Sequence, residues 1–152
     1  MALVLPPELL REKARVRGAL LSVLEVCAAA LVSGRNVLII DDGIEQGVAI
    51  AEAIIGTACE SGACLGSLML SERSSKLLSI EEVVQEPLRE DFWLLVRGAD
   101  SSATARVANY SRPGRLDYGW RAILVSRGPL SRVISETDAR TRRGFACVDL
   151  AA

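Results

Sequence analysis

Two adjacent carboxylates, Asp41 and Asp42, follow the apolar run Val37-Leu-Ile-Ile40 and precede Gly43. In α/β proteins ligands collect where a strand ends and a helix begins, because the helix N-terminus offers unpaired amides and a positive dipole end. Asn36 to Gly47 spans such a place. A phosphate-binding loop there has the form G-x-x-x-x-G-K-[ST], with amides and a lysine on the phosphates and a hydroxyl on magnesium. Here Gly47 or Val48 takes the lysine position, depending on a one-residue shift of alignment, and Val48 or Ala49 takes the hydroxyl position. The aspartates also put negative charge where phosphates would lie. Asp41, Asp42, Gly43, Gln46, Gly47 and Val48 therefore read as a phosphate-loop region without its nucleotide chemistry. The plainer role of the aspartates is to make the turn and cap the helix.

Other chemistries are narrowed by what is missing. The chain has no histidine, which excludes Ser-His-Asp and Cys-His nucleophile systems and histidine-ligated metals. Its four cysteines, Cys27, Cys59, Cys64 and Cys147, show no Cys-x-x-Cys spacing, so buried reduced thiols are expected, with no metal and no cofactor. An apolar strand followed by Asp-Asp is similar to the loop with which phosphoribosyltransferases grip a ribose diphosphate, and to the acidic pair of receiver domains. The first continues into Thr-Gly, absent here. The second needs an aspartate after the third strand, where Arg97-Gly98 stands, and a lysine after the fifth, whereas no lysine follows Lys76. An enzyme using Asp41 and Asp42 on a metal or sugar phosphate stays open as an alternative.

The third feature is arginine. Residues 97–152 carry ten basic groups, all arginine, against five acidic ones, whereas residues 1–96 carry eight basic against fourteen acidic. Arg106, Arg112, Arg115 and Arg121 share a segment with Tyr110 and Trp120, a mixture suited to phosphate backbones and base stacking. Arg132, Arg140, Arg142 and Arg143 form a second group. A solvated charged surface is the plainer account of both.

These residues need elements to hold them. A chain of 152 residues, half of them apolar, is long enough for one domain with a real core. Residues 7–33 read as helix, with Pro6-Pro7 at the start and Gly18 as a point of division, and they are expected to pack on the core as an N-terminal helical segment. Val37–Ile40 reads as a strand buried on both faces. A helix over 44–60, a strand over 64–70 and a short helix over 79–84 follow, the last with Ser79 and Glu82 at capping-box spacing. Phe92–Val96, Ile123–Val125 and Phe145–Val148 complete the strands. Between Phe92–Val96 and Ile123–Val125, residues 97–121 read as a partly helical crossover or a loop. Alternation of strands and helices predicts a three-layer, doubly wound, mostly parallel five-stranded sheet over residues 1–152. No run approaches the roughly 18 apolar residues of a membrane span, and no basic n-region opens a secretory signal, so a cytoplasmic protein without membrane contact is expected.

Over residues 34–150 the strand-and-loop series resembles the ATPase core of the AAA+ clade that contains replication initiators, helicase loaders and the ATP-binding helpers of insertion-sequence transposases. Gly34-Arg-Asn-Val-Leu-Ile-Ile stands where the strand enters the phosphate loop, Asp91-Phe-Trp-Leu-Leu-Val96 where a strand leads into the magnesium-binding acidic pair, and Arg121-Ala-Ile-Leu-Val-Ser-Arg-Gly-Pro-Leu130 where the sensor strand lies. Asp138-Ala-Arg-Thr-Arg-Arg-Gly-Phe145 is similar to the segment that supplies an arginine finger, which the resemblance would place at Arg140 or Arg143. The loop lysine and hydroxyl are absent, Arg97-Gly98 replaces the acidic pair, and Ser126-Arg127 takes the sensor place. ATP hydrolysis is therefore expected to be absent. The function expected is a silent P-loop-like scaffold or regulatory module, in DNA replication or transposition by that resemblance. Its partner would be a protein or a second copy, docked through Arg140, Arg142 and Arg143, with nucleic acid contacted by Arg106, Arg112, Arg115 and Trp120.

Overall fold

The computed structural model describes residues 4–64, 66–71, 92–110, 121–135 and 138–150. Five strands join in the order β2-β3-β4-β1-β5. They are β1 (Asn36–Ile40), β2 (Gly66–Ser71), β3 (Phe92–Arg97), β4 (Ala122–Ser126) and β5 (Phe145–Asp149). Every pairing is parallel; Val37 stands beside Ile123 on one side of β1 and beside Ala146 on the other.

The period of two along these strands builds two cores. Val37 and Ile39 of β1, Trp93 and Leu95 of β3, and Ile123 and Val125 of β4 point into one. Leu38 and Ile40, Leu94 and Val96, and Ala122 and Leu124 point into the other. A strand buried on both faces must be apolar at every position, which is why β1 and β4 read as continuous runs. Each such aliphatic side chain contributes about 1.5–3 kcal/mol by leaving water.

Helices cover both faces. On the first lie α1 (Pro7–Arg17), α2 (Leu21–Val32) and α3 (Glu45–Glu60); on the second lie α4 (Ser101–Tyr110) and the short α5 (Leu130–Val133), with α6 (Ala139–Gly144) packed on α4. Gly18 does divide the N-terminal helical stretch. Its φ of 67° lies in the left-handed region, and its amide closes α1 on the carbonyls of Ala14 and Arg15. The N-terminal segment is anchored on α3 by Leu10 and Ala14, which are buried, and by the ion pairs Lys13–Glu60 at 2.6 Å and Arg17–Glu52.

After β3, Ser101–Tyr110 is helical, with the Ala103 amide donating to Asp100 Oδ1 at 2.8 Å. The helix expected at 79–84 lies outside the described residues. Among the described residues, no helix is long and apolar enough to cross a membrane.

Candidate functional site

The loop from Asp41 to Gly47 leaves the carboxyl end of β1, which lies inside the sheet between β4 and β5. Its backbone is tightly wound. The Ile44 amide donates to the Asp41 carbonyl at 3.0 Å, and Ile44 itself sits at φ 66°. A β-branched residue in that region costs about 1–3 kcal/mol, and here the burial of the Ile44 side chain in the core offsets it.

The Asp41 carboxylate closes the loop from inside. Its Oδ1 accepts from the Gly43 amide at 3.3 Å and its Oδ2 from the Gly47 amide at 2.8 Å, in the first turn of α3. Those amides and that helix end are what a phosphate would use. A side-chain anion of the chain itself holds them.

Asp42 is spent differently. Its Oδ1 accepts from the Gly128 amide at 3.2 Å, across the crevice between the ends of β1 and β4. The Asp41 amide donates to the Ser126 carbonyl at 2.8 Å beneath it. The crevice where open α/β sheets take ligands is thus laced shut by main-chain and side-chain bonds. Gly128 fits this seam because a Cβ there would stand 3.0 Å from Ile40 Cγ2 and 3.3 Å from Asp42 Oδ1.

Packing also explains the missing lysine. Gly47 presses on the sheet so closely that a Cβ would stand 2.6 Å from Val125 Cγ1 and 3.2 Å from Ile39 Cγ2. Val48, the other alignment's lysine position, is 8% exposed and belongs to the core. Neither position can carry a solvated ammonium in this packing. Gln46 faces away from the loop: its Nε2 donates to the Gly18 carbonyl at 3.2 Å and its Oε1 accepts from the Leu20 amide at 2.9 Å, clamping the α1–α2 turn.

Arg97 and Ser126, the other positions singled out by the sequence resemblance, can be placed as well. Arg97, at the end of β3, is exposed and rims a shallow cleft of about 490 Å³ with Arg17, Glu45 and Glu52, over Val48 and Ala49. Ser126 is buried, and its hydroxyl donates to the Ala99 carbonyl. Among the described residues, no group of three or more cysteine or carboxylate side chains is placed to hold a metal.

The arginines do not form one surface. Arg121, grouped in the sequence with nucleic-acid candidates, is 8% exposed, and its Nε donates to the Leu31 carbonyl at 3.0 Å. Burial lowers its pKa. It ties α2 to β4 and is withdrawn from any nucleic-acid contact. Arg112, Arg115 and Trp120 lie outside the described residues; Arg106 lies on α4. Arg140, Arg142 and Arg143 all lie on α6, which Asp138 caps through the Thr141 amide at 3.0 Å and the Thr141 hydroxyl at 2.6 Å. Arg142 and Arg143 are exposed, with Nε donating at 3.3 Å to the carbonyls of Ser135 and Ala139.

The fold and site define a parallel α/β protein with helices on both faces and a self-filled loop at the head of its sheet. No protein-family model, curated protein or solved structure matches the chain.

Proposed function

We propose that this chain is a P-loop-like domain whose nucleotide site is silent and which works as a scaffold or regulatory interaction module. The observation that carries the proposal is the Asp41 carboxylate on the amides of Gly43 and Gly47. A bound polyphosphate would have to displace a fixed negative charge and then find neither ammonium nor magnesium-binding hydroxyl. Each lost element has a packing reason: Gly47 against Val125, Val48 in the core, Ser126 bonded to Ala99.

The sheet order supports the P-loop-like reading. With β4 between β1 and β3, a residue at the end of β4 lies between the loop after β1 and the end of β3, as a sensor strand must. Within the clade the sequence resembles, such a module would stand beside an active ATPase, a helicase or DNA in replication or transposition. The exposed Arg142 and Arg143 on α6 are the described residues best placed for that contact. The alternative of an enzyme built on Asp41 and Asp42 gains nothing from the geometry, since both carboxylates hold backbone amides.

The test is thermal unfolding with Mg·ATP, Mg·ADP and Mg²⁺ alone. The silent reading expects no shift with any of them. A shift with nucleotide would restore the loop as a binding site, and a shift with metal alone would favour the carboxylate enzyme.

A further inference from the structure

α1 and α3 carry opposite charge. α1 has four basic residues, Arg11, Lys13, Arg15 and Arg17, against Glu8 and Glu12, a net +2. α3 has Glu45, Glu52 and Glu60 and no basic residue, a net −3. The two helices meet along Glu52, Gly56 and Glu60, whose spacing of four keeps them on one side of α3. Arg17 pairs with Glu52 and Lys13 with Glu60, so the helices run antiparallel. Between the pairs the Lys13 stem lies over Gly56, where a Cβ would stand 3.8 Å from Lys13 Cδ.

Apolar contact adds less to this junction than to its neighbour. α1 buries Leu10 and Ala14, with Leu5 just before it, whereas α2 buries Leu24, Cys27, Ala28 and Leu31. Seven of the eleven residues of α1 are exposed. Segments with few buried apolar groups open before the rest of a fold. Both ion pairs stand partly in water, so salt weakens them. The screening length falls from about 10 Å at 0.1 M salt to about 3 Å at 1 M.

The end of α1 is built as a pivot. Gly18 turns the chain at φ 67°, and Gln46 of α3 holds both the Gly18 carbonyl and the Leu20 amide. That clamp fixes the turn to α3, with α1 on one side of it and α2, packed on β1 and β5, on the other. Val16 and Arg17, in the last turn of α1, line the cleft of about 490 Å³ together with Val48 and Ala49.

We propose that α1 is a charge-held latch. It lifts from α3 as a unit about Gly18 while α2 and the sheet stay folded. Lifting removes Val16 and Arg17 from the cleft and lays Val48 and Ala49 open. A freed helix of eleven residues is too short to stay helical in water, so its amides exchange while it is up. Ionic strength, through the +2 and −3 helices, sets how often this happens. The inference does not depend on the state of the 41–47 loop.

The test is native-state hydrogen exchange of the full 152-residue chain, at low salt and at about 1 M sodium chloride. At low salt the amides from Arg11 to Arg17 should exchange at least about tenfold faster than those of β1, and salt should widen that ratio about threefold. Lys13→Glu should widen it as much without salt, and adding Glu60→Lys should restore the parent ratio. In a Val48→Cys variant, with sites mapped by mass spectrometry, alkylation of the new thiol should quicken with salt in step with α1 exchange. The proposal is overturned by α1 amides that exchange only as slowly as those of β1. It is equally overturned if salt and the charge swap leave the ratio unchanged, or if the thiol at position 48 stays unlabelled while α1 exchanges.

Discussion

Asp41 Oδ2 accepts the Gly47 amide at 2.8 Å, joining the last residue before the turn to the first turn of α3. The bond lets a carboxylate do for the helix end what a ligand anion does elsewhere, so the loop keeps its shape without a bound group. Replacing Asp41 by alanine leaves the Gly43 and Gly47 amides without that acceptor. Loss of such a cap is expected to cost about 1–2 kcal/mol in chemical denaturation. Unchanged stability would mean that solvent serves those amides as well.

Gly47 and Gly56 stand on the same helix and should answer alanine substitution with opposite signs. At Gly47 the added methyl would meet Val125 Cγ1 at 2.6 Å, so overpacking should cost about 1–3 kcal/mol despite the better helix propensity of alanine. At Gly56 the nearest atom is Lys13 Cδ at 3.8 Å, and alanine should stabilise by about 0.5–1 kcal/mol. Equal effects at the two positions would contradict the close packing of α3 on the sheet.

Burial pushes the Cys27 thiol from its ordinary 9.0 up to about 12. Between those values the folded chain holds a proton that the unfolded chain releases. Stability from this group is therefore complete below pH 9 and falls as pH rises toward 12. The slope is about 1.4 kcal/mol per pH unit, adding to those of other groups. Cys147 is displaced in the same direction. Denaturant titrations at alkaline pH should show a shallower decline for Cys27→Ala than for the parent chain, and parallel curves would place Cys27 outside the core.

Arg121 gives a sharper reading of the basic half of the chain. Because its Nε holds the Leu31 carbonyl in the interior, Arg121→Met should lower stability by about 1.5–3 kcal/mol, the range for a hydrogen bond from a charged group. A surface arginine would show a change within about 0.5 kcal/mol. The same melts in the presence of single-stranded DNA should shift the parent and the variant alike.

The strands were legible because burial on two faces demands runs such as Val37-Leu-Ile-Ile40 and Ala122-Ile-Leu-Val125, which few other structures tolerate. Gly18 marked a helix end in the sequence, and it takes a positive φ there. The absence of a lysine from positions 47 and 48 was equally plain, but the packing that fills them was not. That Gly47 touches Val125 depends on a contact between residues distant in sequence, which no local pattern carries. Arg121 misled for the opposite reason: it was read together with Arg106, Arg112 and Arg115, and only the approach of Leu31 takes it inside. α5 and α6 went unread because four and six residues are too short to show a helical period.

The most direct test of the silent loop is the melting temperature of the chain with and without saturating Mg·ATP. A ligand at 100 times its dissociation constant adds about 2.7 kcal/mol, a shift well above error for a chain of this size. With Asp41 holding the Gly43 and Gly47 amides, the melting temperature is predicted not to move. A rise with Mg·ATP, abolished by a bulky residue at Gly43, would show that nucleotide displaces the carboxylate and that the loop is a working site.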